Sequence, residues 1–293
     1  MTAPVDLHIH SEKSSDGDLP SFIIIQLAKE YGLRAISIAD HDTVDAYPDA
    51  ILQGNEVGVE IIPNIEVTTL FDNREFHLLL PFVDWKSPAL SELVDEVAAR
   101  RVQEAQERVE KLRNLGFEIT WEEISRAAGP HPPLGVTIAQ YLLRKSEMSG
   151  DPSLKKYSKK RNKDFAPYLF YRDYFMEGKP AFVSRRNISI FKVLEAVPKT
   201  GAVPVLAHPG AYFQQVKKED VIRLKEKGLG GIEVYTSYHD RSQTDLYNKI
   251  AEDLQLVPTA GSDFHGAIKP HIPFGFLNNG GYWIVEELKK RRP

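Results

Sequence analysis

Apolar residues along this chain fall in short runs separated by longer amphipathic stretches. Val5 to Ile9 reads as a strand that opens the chain. Ser21 is placed to cap a helix running to Tyr31, with Gly32 just past its end. Ala35 to Ala39 reads as the next strand, and a helix is expected after Asp42, its length limited by Pro48. Ile61 to Val67 and Glu75 to Leu80 read as two further strands. This spacing predicts βα units around a parallel sheet, an α/β fold.

The texture then changes. Ser87 to Asn114 is a long charged helical stretch ended by Leu115-Gly116. Thr120-Trp121-Glu122-Glu123 has the form of a capping box, with Thr120 as cap and Glu123 three residues later. A further helix is expected from Thr137 to Lys145, followed by a basic run from Lys155 to Lys163. Residues 99–178 therefore read as a helical insertion subdomain, interrupting a domain made of 1–98 and 179–293. The βα rhythm returns afterwards. Helices are expected over Ser189 to Lys199, Lys218 to Lys227, Ser242 to Asp253 and Ile284 to Arg292. Strands are expected over Ala202 to Ala207, Gly231 to Tyr235 and Leu256 to Thr259.

Composition narrows the chemistry. The 293 residues include no cysteine, which removes disulfides, thiolate metal sites and thiol nucleophiles together. Any metal must be held by nitrogen and oxygen. A net charge of -4 gives no general attraction to nucleic acid or anionic lipid. The start of the chain has neither a basic segment nor an apolar run, so no signal peptide is expected there. Phe22 to Leu27 is too short to span a bilayer. The expectation is a cytoplasmic protein with no membrane partner.

Ionisable residues gather at the predicted strand ends. His8 and His10 close the first strand and are followed by Asp16. Asp40, His41 and Asp42 follow the second, Glu66 ends the third, and His77 lies in the fourth. His208 follows the run Val203 to Ala207, Glu233 lies within a strand, and Asp263 and His265 follow the last one. In a parallel barrel the carboxyl ends of the strands meet on one face, so these groups would converge. A single His is most often a hydrogen-bonded core or surface residue. Here six of nine histidines sit at or near predicted strand ends beside carboxylates, and that joint placement favours a site. His8 and His10, two apart on a strand, point to the same side. Imidazole with carboxylate suits Zn²⁺, Mn²⁺ or Fe²⁺ better than Ca²⁺ or Mg²⁺.

These residues, in this order, resemble the polymerase-and-histidinol-phosphatase (PHP) family of metal-dependent phosphoesterases. The matching segments are Asp6 to Ser11, Ser15 to Gly17, Ile38 to Thr43, Ile62 to Thr68, Phe76 to Leu79, Glu177 to Val183, Leu206 to Gly210, Gly231 to Tyr235 and Gly261 to Gly266. The resemblance implies a distorted (β/α)7 barrel and a site for two to three divalent ions. Carried over by motif, His8, His10, Glu66 and Asp263 would bind the first ion. Glu66, His77 and His208 would bind the second, and Asp16, His41 and His265 the third. The branch most resembled comprises small phosphatases acting on nucleotides, including 3′,5′-nucleoside bisphosphates, and related short-RNA trimming enzymes. That branch carries a Gly-Arg-Pro-His-type motif in the insertion, and the matching stretch here, from Leu134, lacks the Arg and His.

The expected reaction is hydrolysis of a phosphate monoester of a small nucleotide by metal-activated hydroxide, with no protein nucleophile. Asp40 is expected to orient a ligand His. Glu233 reads either as a support for a ligand or as part of the barrel interior. Arg185, His239 and His131 are the candidates for substrate contact, each with a plainer surface or loop alternative. Lys155 to Lys163 could grip a short oligonucleotide, although a solvated face is the commoner meaning of such a run. The rival functions are exonuclease trimming of RNA or DNA, C–N bond hydrolysis of the amidohydrolase type, and a non-catalytic metal-stabilised binding module.

Overall fold

All five residues of strand β1 (Val5–Ile9) are buried; Val5 and Leu7 face one side, and past a register irregularity Ile9 faces the other. Such a strand is covered on both faces. The computed structural model describes residues 4–149, 154–157, 166–211, 214, 216–275 and 280–293. Two compact units are present, one made of 1–94 with 188–293 and the other of 95–187.

In the first unit β1 pairs in parallel with β2 (Ala35–Ile38), and β2 with β3 (Glu60–Ile61). A second sheet contains β4 (Glu66–Phe71), β5 (Arg74–Leu79), β6 (Ile188–Ser189), β7 (Val205–Leu206), β8 (Gly231–Thr236) and β9 (Val257–Gly261). Its spatial order is β6-β4-β5-β7-β8-β9. The architecture is α/β, with two departures from the expected frame.

The first departure concerns direction. Strand β5 runs antiparallel to both β4 and β7. Asp72 and Asn73 both adopt left-handed backbone, with φ of 48° and 63°, and close a two-residue hairpin. Asp and Asn tolerate that conformation, and the turn matches the strand twist. The second departure concerns closure. Among the described residues no continuous ladder joins the two sheets. They meet at two seams, through isolated bridges between Ile9 and Phe264 and between His41 and Glu66. The stretch expected as one strand from Ile61 to Val67 is split between β3 and β4. Pro63 offers no N–H there, and Asn64 bonds away, its amide N to Tyr47 Oη (2.6 Å) and its Nδ2 to the Leu7 carbonyl (3.1 Å).

Helix α1 (Ser21–Glu30) begins after Pro20, so Ser21 is its first residue and not its cap. Helix α2 (Tyr47–Val57) carries Pro48 in its first turn, where no N–H is needed, so Pro48 opens the helix instead of shortening it. Ile24, Ile25 and Ala28 of α1 and Tyr47 and Ala50 of α2 pack against Ile9, Ile36 and Ile38. The opposite side of β1 and β2 contributes Val5, Leu7 and Ala35 to an interior shared with Val205, Val257 and Ala260.

The 95–187 unit takes most of α3 (Pro88–Asn114), with α4 (Trp121–Ala128), α5 (Gly135–Ser149) and α6 (Ala166–Tyr174). Ala105, Val109, Leu112, Ile124, Ile138, Leu142 and Phe170 form its core. Thr120 caps α4: its Oγ1 accepts from the Glu123 amide (3.2 Å), and Glu123 Oε2 accepts from the Thr120 amide (2.9 Å). Of the basic run Lys155 to Lys163, all beyond 157 lies outside the described residues.

The chain returns to the first unit with α7 (Ile190–Ala196), α8 (Lys218–Lys225), α9 (Arg241–Asp253) and α10 (Trp283–Lys289). No helix among the described residues is long and apolar enough to cross a membrane.

Tyr47 is completely buried, and its hydroxyl donates to the Ile38 carbonyl while accepting from the Asn64 amide. Tyr47→Phe is expected to lower stability by about 1–3 kcal/mol, because it strands a buried amide and a buried carbonyl. A fall in denaturant midpoint at unchanged slope checks this, and an unchanged midpoint refutes it.

Candidate metal centre

The site is built where the two sheets meet. His8 and His10 leave the end of β1 on one side, and their Nε2 atoms face each other at 3.2 Å. Glu66 opens β4, and Asp263 follows β9. His8 Nε2 lies 3.3 Å from Glu66 Oε2 and 3.2 Å from Asp263 Oδ1. His10 Nε2 lies 3.2 and 3.1 Å from the same two oxygens. Ligands about 2.0–2.2 Å from one ion stand roughly 3.0–3.5 Å apart at adjacent corners of a tetrahedron or octahedron. These four buried donors match that spacing.

Glu66 is fully buried, and its two oxygens divide five histidines between them. Oε2 lies 3.2–3.3 Å from His8, His10 and His41 without accepting a well-directed hydrogen bond from any of them. Oε1 lies 2.8 Å from His77 Nδ1 and 2.9 Å from His208 Nε2. A buried carboxylate oxygen among imidazole nitrogens, with no directed donor, fits a cation. The division of its oxygens suits a bridging ligand.

Three overlapping groups result, each with its donor atoms within 4.8 Å of one another. They are His8, His10, Glu66 and Asp263; His41, Glu66 and His77; and His10, Asp16, His41 and His265. All nine residues expected at the site therefore gather in one cluster. The grouping differs in detail from the one that the motifs imply. His10 and His41 are each shared by two groups, and His208 reaches the cluster through Glu66 Oε1.

Hydrogen bonds behind the ligands fix their rings. His8 Nδ1 donates to Glu233 Oε1 (3.2 Å), and Glu233 Oε2 accepts from the His208 amide (2.8 Å). Glu233 thus supports two members of the cluster. His265 Nδ1 donates to the Asp263 carbonyl (2.6 Å), which turns Nε2 toward Asp16 (3.2 Å). Asp40 accepts from the amide and hydroxyl of Ser11 at 2.6 Å each, so it pins the loop that carries His10 and does not itself bond a histidine.

His239, a candidate for substrate contact, is bonded within the fold. Its Nδ1 donates to the Val234 carbonyl and its Nε2 accepts from the Gly210 amide, both at 2.9 Å. With both nitrogens committed, it staples the segment after His208 to β8. Arg185, exposed, and His131, half-buried, belong to the 95–187 unit and are not among the cluster's donors.

Four supporting residues escaped the sequence reading. The Gln214 amide lies 2.6 Å from His208 Nδ1. Tyr238 Oη (2.7 Å) and Lys269 Nζ (3.0 Å) both donate to Asp263 Oδ2. A Cβ at Gly261 would stand 2.1 Å from Glu233 Oε1 and 2.3 Å from His8 Cβ, so only glycine fits. Gly261 lies inside a matching motif, whereas the other three lie in none and gave no signal.

Burial and the neighbouring carboxylates pull the cluster's imidazoles in opposite directions. Burial pushes the His10 imidazole down to about 4, helped by its neighbours His265 and His41. It pushes His77 down as well, but the adjacent Glu66 carboxylate reverses that and carries His77 up to about 10. His8 and His41 are raised in the same way, burial being outweighed by Glu66 and the other carboxylates, and Glu66 falls well below its usual range. Burial also lifts the Asp40 carboxyl to about 6 against its two bonds from Ser11.

A buried cluster of six imidazoles and three carboxylates on an α/β frame is the equipment of a divalent-metal protein. Residues 6–123 match the PHP domain. Relatives of nearly full length carry three different activities. A 5′-3′ exoribonuclease of Haemophilus influenzae is 26% identical over 96% of this chain and 94% of its own. A phosphoribosyl 1,2-cyclic phosphate 1,2-diphosphodiesterase of Eggerthella lenta is 29% identical over 92% of this chain and 97% of its own. A 3′,5′-nucleoside bisphosphate phosphatase of Chromobacterium violaceum is 23% identical over 90% and 87%. The fold is shared with a solved structure from Bifidobacterium adolescentis described as a metal-dependent phosphoesterase. Its TM-score is 0.78 and its identity 24%, over 99% of this chain and 96% of that one. The chain carries a PHP domain, and its relatives include phosphatases, diesterases and exonucleases that act on phosphate esters.

Ligation requires neutral imidazoles. Because the Glu66 carboxylate carries His77 up to about 10 against its burial, His77 holds a proton at pH 7 that a cation must displace. Uptake of Mn²⁺ or Zn²⁺ is expected to release protons, and affinity to rise with pH toward about 10, where His77 gives up its proton. Titration calorimetry in buffers of different ionisation enthalpy measures the release, and a buffer-independent heat would contradict it.

Proposed function

We propose that the cluster holds two or three divalent ions and hydrolyses the terminal phosphate monoester of a nucleotide or nucleoside bisphosphate. The observation that carries this reading is Glu66, one buried carboxylate whose oxygens are divided among five histidines at 2.8–3.3 Å. His8, His10 and Asp263 are the partners of Glu66 for one ion. His77, His41 and His208 serve a second, and Asp16, His41 and His265 a third. The donor set, imidazole nitrogen with carboxylate oxygen, suits Mn²⁺, Zn²⁺ or Fe²⁺. When bound, such ions neutralise charge on phosphoryl oxygens and make water acidic enough to attack near neutral pH.

The chain's own part is positional. Ser11 and Ser14 near the cluster donate their hydroxyls to Asp40 and Asp16, so neither stands free as a nucleophile. Most of the cluster is buried, and exposure is confined to Asp16, His41 and His77, with side chains 29%, 12% and 10% accessible. A narrow approach of that kind favours the end of a small phosphate ester over the interior of a long strand. The exoribonuclease relative favours a second reading, removal of nucleotides from the end of a short RNA. That substrate also presents a terminus.

With Mn²⁺ added, phosphate release from nucleoside bisphosphates is expected to exceed release from sugar phosphates. Chelation should abolish it, and Glu66→Gln should lower it by more than about 100-fold. Equal rates before and after chelation would sink the metal mechanism. Turnover of a short RNA with no release from bisphosphates would select the second reading.

A further inference from the structure

A lysine stands behind one carboxylate of the cluster. A histidine ligand is commonly backed by an acceptor, which raises its basicity, and a carboxylate ligand by hydrogen-bond donors. Asp263 has a cation as one of its two donors. Lys269 Nζ lies 3.0 Å from Asp263 Oδ2 and 3.2 Å from Tyr238 Oη, and Tyr238 Oη lies 2.7 Å from that same oxygen. Oδ2 is therefore occupied from two sides, and Oδ1 alone faces the Nε2 atoms of His8 and His10, at 3.2 and 3.1 Å. Asp263 itself is fixed: its side chain is 3% exposed and its backbone left-handed, with φ of 59°. Two donors hold its second oxygen away from the histidines.

Two physical effects follow. A carboxylate with one oxygen committed to an ammonium binds a cation through the other oxygen only. Its negative charge is also drawn toward the ammonium, so it donates less to the cation. Lys269 senses the cluster beyond Asp263, since its ammonium is stabilised by Asp263, Asp16 and Glu66 against its burial. It cancels part of the charge of those three carboxylates. A cation in this group is then held less tightly and withdraws more electron density from whatever else it binds.

We propose that Lys269, with Tyr238, is a positioning residue that keeps Asp263 a single-oxygen ligand and holds down the affinity of the His8–His10–Glu66–Asp263 group for its cation. The inference rests on the reading of the cluster as a metal centre. It assigns Lys269 a role opposite in sign to that of an ordinary structural support. When the site is empty of cation, the same ammonium balances the buried carboxylates and stabilises the fold.

Lys269→Met, Lys269→Gln and Lys269→Arg in the full chain test it, through Mn²⁺ affinity by competition with a chelating dye and the melting midpoint of the metal-free protein. Lys269→Met and Lys269→Gln are expected to bind the tightest Mn²⁺ about ten-fold more strongly than the parent and to melt at lower temperature when metal-free. Lys269→Arg, which keeps the charge, should match the parent in both. If Lys269→Met does not fold, Lys269→Gln, which keeps the length and a hydrogen-bond donor, decides alone. A ten- to hundred-fold loss of affinity is what a plain supporting role predicts, and it would overturn the proposal. Unchanged affinity with only a raised KM for phosphate ester would overturn it too, assigning Lys269 to substrate. A parent protein that takes up no Mn²⁺ would instead remove the metal centre on which the inference stands.

Discussion

One buried carboxylate holds the molecule's chemistry together. Glu66 has no exposure to water, and an isolated charge in such a place costs several kcal/mol. It is tolerated because five imidazoles crowd its two oxygens. Those imidazoles come from β1, the loop after β2, β5 and the loop after β7, so the position of one side chain obliges four distant segments to meet. Imidazoles drawn toward the protonated form, His77 above all, and a set of bound cations would answer the same electrostatic demand in two ways.

The backbone contributes to this assembly. Asp42, His208 and Asp263 adopt left-handed φ of 53°, 25° and 59° at or beside the cluster. Asp tolerates such a conformation, whereas a histidine holds it only when its surroundings enforce it, at about 1–3 kcal/mol. Here the enforcement is visible. Glu233 grips the His208 amide, Lys269 and Tyr238 grip Asp263, and the Asp42 amide donates to the Glu66 carbonyl at 3.0 Å. Ring contacts add to it: His10 and His265 stack with centroids 4.0 Å apart.

The cluster's residues were legible in the sequence because their chemistry is dense and their positions follow strand ends. The convergence of His8, Glu66, His208 and Asp263 follows from α/β topology once the strands are located. The alternation from Val5 to Ile9 and the capping box at Thr120 are local patterns, and local patterns survive folding. What escaped notice depends on distant partners. Nothing around Lys269 or Tyr238 marks them until Asp263 is placed between them. His239 carries the same ring as the ligands, and only the positions of Val234 and Gly210 decide that it is a staple. The hairpin at Asp72-Asn73 reverses a strand that periodicity alone reads as parallel, since alternation carries no direction. The split sheet is equally silent in sequence, because closure depends on register between strands far apart in the chain.

The open seams have a mechanical consequence. His8, His10, Asp16 and His41 come from the three-stranded sheet and its loops, whereas Glu66, His77, His208, Asp263 and His265 come from the six-stranded one. Each of the three donor groups draws from both. An ion seated in any of them would rivet together two sheets that the backbone only tacks at isolated points. The hydrolytic centre would then double as a fastener, and chelation would loosen the joint between the sheets before it disturbed either sheet internally.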